Sequence, residues 1–327
     1  MHSATVFGSV VLDIIMEIPS HYLISHGQGD AIKLPYGAKL ATKNYHVTVG
    51  GSGANVAVGL KKAGIDATLR TSLSNGTLAQ LIKKELEKTG VPVLESTVEQ
   101  PTAVSIVLRA KGDRTIITGS SQTAKFLNIE IPQDGWLHLG PLPDKMDEFL
   151  QKVITHRLNT NQGLSINPSM IQIEERSRVF LSLLRTTDLI FLNLQEALRL
   201  TRLPARTQIE DVTRSLHALG VAVVCITDGE RGAYASNQNH IWFAEATCDE
   251  VCRLDATGAG DGFSSGFIAG YIDGPESEVN DDICEKSLKM AMLDSGAVVG
   301  GIGAQAGLLT RAEIERDLGT VKIKLIR

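Results

Sequence analysis

The sequence has 327 residues, a mass of 35.1 kDa and a formal net charge of -5. Hydrophobic residues make up 43% of it and charged residues 21%. This balance is typical of a folded globular protein and excludes a disordered or fibrous chain. An acidic chain with no block of basic residues also argues against nucleic acid or an anionic membrane as a partner.

No segment of the sequence predicts a signal peptide or a membrane span. The first apolar run has no lysine or arginine before it, and Asp13 and Glu17 interrupt it. The four cysteines form no CxxC pair, so we expect reduced thiols. These features predict a cytoplasmic protein.

The first part of the chain predicts strand and helix in alternation, with a small β region between. A nearly continuous apolar run predicts a buried strand over Ala4–Leu12. The glycine-rich segment Gly50–Asn55 opens a predicted helix, and a further helix is predicted over Thr77–Lys88. Three short β runs within 91–118 include a hairpin. We expect them to join the loosely patterned segment 14–49 in a small second sheet.

Alternation returns after residue 135 and continues almost to the end. The predicted strands are Trp136–Leu139, Leu164–Asn167, Asp188–Asn193 and Val221–Thr227, with a hairpin over Gly232–Glu245. The predicted helices are Met146–Leu158, Ile171–Leu184, Glu196–Leu200 and Ile209–Leu219, with two more from Gly260 and Ile283. Such alternation implies right-handed βαβ units and a mostly parallel sheet. We predict an α/β core over 1–13, 50–100 and 119–327, and a discontinuous β lid over 14–49 and 101–118.

The segment Asp255–Phe263 carries the strongest local signal for chemistry. Its glycines lead into an apolar helical pattern, so several backbone N–H groups and the helix dipole would face one bound anion. Asp261 falls in the first turn, where a carboxylate can accept a proton from an attacking hydroxyl. The spacing alone leaves a second interpretation open, in which Asp261 caps a helix and the glycines form a loop.

The segment Gly50–Asn55 is a weaker signal. It predicts either a tightly packed helix start or a close approach of backbone to a polar ligand. The third glycine is misplaced for a dinucleotide-binding fingerprint, and the sequence contains no P-loop motif. Asp13 follows the first predicted strand, and parallel sheets bind ligands at the carboxyl ends of their strands.

Four motifs follow one another along the chain: Gly50-Gly-Ser-Gly-Ala-Asn55, Asn193-Leu-Gln-Glu196, Thr227-Asp-Gly-Glu-Arg-Gly232 and Asp255-Ala-Thr-Gly-Ala-Gly-Asp261. With these motifs in this order, the chain resembles the ribokinase-like (PfkB) carbohydrate kinase family over nearly its whole length. The resemblance implies a three-layer α/β/α core with a small β-sheet lid. It also implies an ATP-dependent kinase.

The resemblance assigns the site residues by position. The catalytic set is Asp261 as the base, with Gly258, Ala259 and Gly260 as the anion hole for the γ-phosphoryl group. Asp13, Gly51 and Asn55 would bind substrate hydroxyls. Asn193, Thr227, Gly229 and Gly232 would bind ATP, and Glu196 would act on Mg²⁺ through water.

Many members of the family also bind K⁺ beside the anion hole. The matching residues are Asp255, Thr257 and the carbonyls of Val298, Gly301 and Gly303. Gly307 stands where some members have serine, which removes one side-chain ligand.

The function implied is transfer of the γ-phosphoryl of MgATP to a hydroxyl of a small, ribose- or fructose-like sugar. A nucleoside kinase with an adenosine-, inosine- or guanosine-like acceptor is the alternative. Its base would lie against Ile14, Tyr36, Tyr45 and Phe126. A catalytically silent binding protein is the remote alternative, which the intact Asp261 and Glu196 disfavour. Many relatives pair through the lid, so a homodimer is expected.

Overall fold

A computed structural model describes residues 2–26, 29–42, 44–99, 101–110, 113–119, 130–160, 162–248, 254–274 and 280–327. Its strands are β1 (Ser3–Phe7), β2 (Val11–Glu17), β3 (Leu23–His26), β4 (Gly29–Ile32), β5 (Tyr45–Gly50), β6 (Asp66–Leu73), β7 (Val93–Thr97), β8 (Val104–Ala110), β9 (Asp113–Gly119), β10 (Trp136–Leu139), β11 (Leu164–Ile166), β12 (Leu189–Asn193), β13 (Val223–Thr227), β14 (Gly232–Ser236), β15 (Ile241–Glu245) and β16 (Ile323–Leu325). Its helices are α1 (Ser52–Lys62), α2 (Thr77–Glu87), α3 (Asp147–Thr160), α4 (Met170–Glu175), α5 (Arg178–Leu184), α6 (Leu194–Thr201), α7 (Ile209–His217), α8 (Ala259–Ile272), α9 (Asp281–Val299) and α10 (Arg311–Asp317).

The larger sheet has the order β16-β15-β14-β13-β12-β11-β10-β1-β6-β7. The seven strands from β13 to β7 pair in parallel, and β14, β15 and β16 are antiparallel. In this sheet β1 lies between β6, the next of its strands along the chain, and β10, the third after β6 and β7. The strand order therefore reverses direction at β1. Ligands of open α/β sheets bind at the carboxyl ends of strands around such a reversal.

Helices cover both faces of this sheet. One apolar core joins it to α1, α2, α8, α9 and α10, through residues such as Leu60, Phe263 and Leu288. A second core joins the other face to the helices from α3 to α7, through Phe149, Phe180 and Leu216. The predicted three-layer α/β/α arrangement is therefore confirmed.

The smaller sheet, here called the lid sheet, has the order β5-β2-β8-β9. Its inner face carries Asp13, Ile15 and Thr48, and the positions of Ile15 and Thr48 lie against Gly303 of the main body. Its outer face carries the alternate residues, such as Ile14 and Val47, because side chains alternate along a strand. The division of the chain into a core and a lid at 14–49 and 101–118 stays a prediction.

Two elements that the sequence predicts as continuous are each divided in the structure, so these two predictions were wrong. The apolar run over Ala4–Leu12 is divided between β1 and β2, which belong to different sheets. The predicted helix Ile171–Leu184 is two helices, because Arg176 is left-handed with φ 48° and Ser177 caps a new helix.

Both predicted hairpins are confirmed, and the predicted place of one other β run is not. The hairpin of β8 and β9 is present, and so is the hairpin of β14 and β15. The run near Val93 is different, because β7 pairs with β6 in the larger sheet and is no part of the lid sheet. Within the described ranges, no helix combines the length and the apolar character that crossing a membrane requires.

Candidate active site

Asp13 lies on β2, in the inner face of the lid sheet, and not at the end of the first strand. Its carboxylate is buried, with a relative exposure of 7%. Gly50 leaves the space for it, because a Cβ atom at Gly50 would overlap Asp13 Oδ2. This close approach explains why the turn into α1 begins with glycine.

Asp261 lies in the first turn of α8, and two side chains of α1 hold its carboxylate. Ser52 Oγ donates to Asp261 Oδ1 at 2.5 Å, and Asn55 Nδ2 donates to Oδ2 at 2.7 Å. Burial raises the pKa of Asp261, and these two hydrogen bonds act against that rise because they stabilise the charged form. The arrangement holds a carboxylate in a fixed position, as a general base requires.

Asn55 is itself oriented by a residue that sequence analysis missed. Gln305 Nε2 donates to Asn55 Oδ1 at 3.0 Å, which leaves the Asn55 amide group to face Asp261. Ser52 was also missed as a partner of Asp261, although it lies inside the quoted motif. Its position at the start of a helix was the one available signal, whereas nothing local in sequence marks Gln305.

Three carboxylates come together at this site. Burial, together with the charges of Asp255 and Asp261, raises the pKa of Asp13 to about 6, and a hydrogen bond from Ser105 acts in the opposite direction. Sequence analysis predicted Asp255 and Asp261 from one motif, and Asp13 from its position after the first predicted strand. The structure brings them together from the lid sheet and from the segment that leads into α8.

The turn before α8 has the geometry of an anion-binding site. Gly258 is left-handed, with φ 80°, and a Cβ atom there would overlap Ala304. Only glycine meets both conditions without strain. At Gly260, by contrast, a Cβ atom would meet nothing within 4 Å. The start of α8 is therefore open where free N–H groups and the helix dipole favour a phosphoryl group.

A cavity of about 150 Å³ lies beside this turn. It is lined by Ala259 and Gly260 of the turn and by Thr227, Gly229 and Gly232 of the β13–β14 connection. Asn193 is not among its lining residues, although it pairs with Thr227 across β12 and β13. The lining residues that sequence analysis missed are Glu230, Ala233, Ala246, Thr247, Cys248, Ala256, Phe263, Met292, Ser295, Gly296 and Val299.

Asn193 and Glu196 cap α6. Asn193 Oδ1 accepts the Glu196 N–H at 2.9 Å, and Glu196 Oε2 accepts the Asn193 N–H at 2.8 Å. This is a capping box, which satisfies two backbone donors of the helix start. Burial raises the pKa of Glu196, and the bonds from Asn193 act in the opposite direction.

Asp255 joins the turn to the loop after α9. Asp255 Oδ1 accepts the Thr257 N–H at 3.0 Å and the Thr257 hydroxyl at 2.6 Å, and Oδ2 accepts the Gly303 N–H at 3.2 Å. Gly301 N donates to the Val298 carbonyl at 3.0 Å. The predicted cation ligands therefore lie on two segments that Asp255 links together.

The expectation of reduced thiols is met at two cysteines and not at a third. Cys225 and Cys284 are free and buried. Cys248, in the wall of the cavity, is disulfide-bonded. Cys252, the fourth cysteine, lies outside the described residues, and so does Phe126, which sequence analysis named for the nucleoside alternative.

Comparison with known proteins agrees with this fold. The profile of the family described as "pfkB family carbohydrate kinase" matches residues 1–311. The chain is 27% identical to the 2-dehydro-3-deoxygluconokinase of Bacillus subtilis, over 73% of this chain and 79% of that protein. It is 23% identical to the ribokinase of Haemophilus influenzae, over 94% of this chain and 96% of that protein. The crystal structure of the Methanocaldococcus jannaschii nucleoside kinase, described as an archaeal member of the ribokinase family, superposes with a TM-score of 0.73 at 20% identity, covering 98% of this chain and 99% of that one.

A parallel α/β/α core with a small second sheet, and a carboxylate beside a glycine-rich helix start, define a small-molecule kinase of the ribokinase fold. The chain belongs to the pfkB family of carbohydrate kinases. It is a phosphotransferase that uses ATP to phosphorylate a hydroxyl group of a sugar-like substrate. Kinases of this family generally work with Mg²⁺.

Proposed function

We propose that Asp261 is the base of a reaction that transfers the γ-phosphoryl group of ATP to a hydroxyl of a small sugar. The observation that carries this proposal is the position of Asp261. It is fixed by Ser52 and Asn55, between the cavity beside Gly260 and the lid residue Asp13. Donor and acceptor would thus meet at one carboxylate.

The proposed transfer moves one proton and replaces one bond to phosphorus with another. The acceptor hydroxyl passes its proton to Asp261 as its oxygen bonds to the γ-phosphorus, and the bond from that phosphorus to the ADP oxygen breaks. The backbone at Gly258, Ala259 and Gly260 stabilises the charge that develops on the phosphoryl oxygens. Gly51 and Asn55, at the start of α1, hold the acceptor with Asp13.

The ATP site is supported by the lining of the cavity. Thr227, Gly229 and Gly232 form one wall, and the α8 turn forms another. Asn193 acts from the end of the neighbouring strand β12.

Glu196 and Asn193 act on Mg²⁺ through water or phosphate oxygens. The capping box uses Glu196 Oε2, and Oε1 accepts no hydrogen bond from a described residue. Among those residues, no cluster of three or more His, Cys, Asp or Glu side chains could hold a metal ion. This suits Mg²⁺, which usually keeps several waters beside substrate phosphates. When bound, Mg²⁺ neutralises charge on the phosphates.

Glu196→Gln separates the metal role of Glu196 from its capping role. Glutamine retains the capping box, so the midpoint of thermal unfolding of this variant should stay near that of the wild type. We expect the Mg²⁺ concentration for half-maximal activity to rise about tenfold or more. Glu196→Ala should show the same rise together with a stability loss of about 0.3–1.5 kcal/mol. A Gln variant with an unchanged Mg²⁺ titration would refute the metal role.

The residues around Asp255 fit a monovalent cation. Asp255 is a buried carboxylate that accepts hydrogen bonds from a hydroxyl and two N–H groups, and no described lysine or arginine pairs with it. We propose that Asp255, Thr257 and the carbonyls of Val298, Gly301 and Gly303 hold K⁺ there. Turnover that is equal in KCl and NaCl would argue against this site.

The lid favours a small acceptor over a nucleoside. Tyr36 is fully exposed. The register of β2 and β5 places Ile14 and Tyr45 on the outer face of the lid sheet, away from Asp13. The inner face near Asp13 presents Ile15, Thr48 and Ser105 instead. It therefore lacks, among the described residues, the aromatic sandwich that a nucleobase would use.

The experiment that tests the proposed function is ADP release from MgATP in the presence of K⁺. The acceptor panel contains pentoses, hexoses and nucleosides, and Asp261→Asn serves as the blank. Turnover with sugars supports the proposal. Turnover only with nucleosides would replace it with the nucleoside alternative, and a folded protein that turns over no acceptor would contradict it.

We also propose a homodimer that forms through the outer face of the lid sheet. Val47, Ile14, Ile106 and Ile117 form a row across its four strands. Three of them, Val47, Ile106 and Ile117, are exposed large apolar side chains. An apolar row of this kind is typical of a surface that another chain covers.

Ile106→Glu should convert the dimer to a monomer, because it places a charge in the centre of this row. Sedimentation velocity at micromolar concentration measures the change. Leu158→Glu, at another exposed apolar position on α3, is the matched control and should remain dimeric. A monomeric wild type, or a dimeric Ile106→Glu protein, would overturn the proposed interface.

We further propose that the enzyme works in the cytoplasm, where ATP is available. The free thiols of Cys225 and Cys284 support this, whereas the disulfide at Cys248 does not. Alkylation of the protein in freshly broken cells, followed by mass spectrometry, tests it. A disulfide at Cys248 under those conditions would contradict a reducing compartment.

A further inference from the structure

A row of three polar side chains in the main body ends at Asp261. Gln305 Nε2 donates to Asn55 Oδ1 at 3.0 Å, and Asn55 Nδ2 donates to Asp261 Oδ2 at 2.7 Å. Asn55 lies on α1, Asp261 lies on α8, and Gln305 lies in the loop between α9 and α10. Three separate segments of the main body therefore meet at this carboxylate.

The charge of Asp261 fixes the direction of both hydrogen bonds. An ionised carboxylate only accepts hydrogen bonds, so Asn55 presents its NH₂ group to Asp261. The Asn55 carbonyl oxygen then faces Gln305, which presents its own NH₂ group in turn. Asn55 is buried, with a relative exposure of 3%, so little water is available to replace either partner. Each amide therefore has one orientation that satisfies the whole row.

The loop that carries Gln305 is tied to its surroundings just beyond this residue. Lys62 Nζ, at the end of α1, donates to the Leu308 carbonyl at 2.8 Å. The next residue, Leu309, donates its N–H to the buried Asp294 on α9 at 2.8 Å. These contacts hold the loop at a fixed distance from the helix that it supports. A residue on such a loop can position another side chain precisely.

We propose that Gln305 is a positioning residue, which holds the Asn55 amide in its donor orientation and so keeps Asp261 ready to accept a proton. This inference rests on the proposed role of Asp261 as the base, because a base must be ionised before the acceptor hydroxyl arrives. Gln305 acts through Asn55, so the role requires no contact between Gln305 and either substrate.

A rotated Asn55 amide would weaken the base in two ways. It would place its oxygen against the ionised carboxylate, where two acceptors repel each other. It would also accept a hydrogen bond from Asp261 once that residue carries a proton, which stabilises the protonated form. Gln305 opposes this rotation, because its NH₂ group would then face the NH₂ group of Asn55. With Gln305 in place, both amides must rotate together.

Two substitutions of Gln305 separate the direction of its hydrogen bond from its packing. Gln305→Glu keeps the shape but only accepts hydrogen bonds, so it favours the rotated Asn55 amide. Gln305→Met fills a similar volume and is a weak acceptor only. We expect kcat to fall about 2- to 10-fold in Gln305→Met and about 10- to 100-fold in Gln305→Glu, with little change in the KM for ATP. A packing role predicts the smaller loss for Gln305→Glu, and that order would contradict the inference.

The pH profile gives a readout that a packing role would leave unchanged. From α1, the neutral side chains of Ser52 and Asn55 contact Asp261, and from the lid sheet the charge of Asp13 interacts with it. The profile is therefore measured in the Asp13→Asn background. Gln305→Met should move the acidic fall of kcat to higher pH, because protonated Asp261 then forms more easily. A fall at the same pH argues against the proposed role.

Asn55→Ala tests whether Gln305 acts through Asn55. In that background Gln305→Met should cause no further loss of kcat, whereas independent roles would multiply. An equal loss in both backgrounds would overturn the inference. Gln80→Met, at an exposed position on α2, is the matched control and should behave like the wild type.

Carbon NMR of the Asp261 carboxyl group keeps this inference separate from the proposed function, because it needs no turnover. In protein labelled with isotopic aspartate, the signal that Asp261→Asn removes belongs to Asp261. A titration midpoint that is higher in Gln305→Met than in the wild type supports the role of Gln305, and an unchanged midpoint contradicts it. Near-normal turnover of Asp261→Asn refutes the base instead, whatever the midpoint in Gln305→Met.

Discussion

Asp261→Asn is expected to lower kcat by about 10²- to 10⁴-fold, the range that a positioned base contributes. Asparagine has nearly the same shape and still accepts a hydrogen bond from Ser52, yet it does not take up the proton of the acceptor hydroxyl. The KM for ATP should change little, because the nucleotide cavity is lined by other groups. Single-turnover measurement of ADP formation with saturating acceptor gives the chemical step directly.

Ser52→Ala is the informative companion to this variant. The Ser52 hydroxyl stabilises the ionised form of Asp261. Its loss should raise the pKa of Asp261 further, so that activity falls off at a higher pH on the acidic side. At alkaline pH the Ser52→Ala enzyme should approach wild-type turnover. Near-normal kcat in Asp261→Asn would remove Asp261 as the base, whatever the behaviour of Ser52→Ala.

The main layers of this fold follow from local pattern, and so could be predicted. Apolar runs such as Val223–Thr227 mark strands buried on both faces, and glycines mark the starts of α1 and α8. The continuity of elements was harder to predict. The apolar pattern before Asp13 crosses from one sheet to the other with only Gly8 and Ser9 as a break, because both strands are buried.

Sequence analysis named the charged residues of the candidate site but missed the contacts that orient them. Asp255 and Asp261 stand in one motif, Asp13 follows the first predicted strand, and the structure brings the three carboxylates together. Gln305, which orients Asn55, is 250 residues away from it in sequence. Contacts of this kind are set by topology, and no local spacing encodes them.

Asp13→Asn is expected to raise the KM for the acceptor about 10- to 100-fold and to leave the KM for ATP nearly unchanged. The reason is that hydrogen bonds to an ionised partner are stronger than neutral ones, and Asp13 lies on the lid side of the site. Initial rates with each substrate varied in turn separate the two constants. Met16→Leu, a volume-conserving change on the outer face of the same strand, is the control and should change neither.

The same carboxylate should set a pH dependence. Because burial and two neighbouring aspartates raise the pKa of Asp13 to about 6, it takes up a proton at a pH where an ordinary aspartate stays charged. Acceptor kcat/KM in the wild type should therefore fall as the pH drops through about 6. The Asp13→Asn enzyme, already neutral at this position, should lose that part of the profile and keep only the part due to Asp261. A variant that weakens ATP instead, or that keeps the fall near pH 6, would mean that the acceptor binds elsewhere in the cleft.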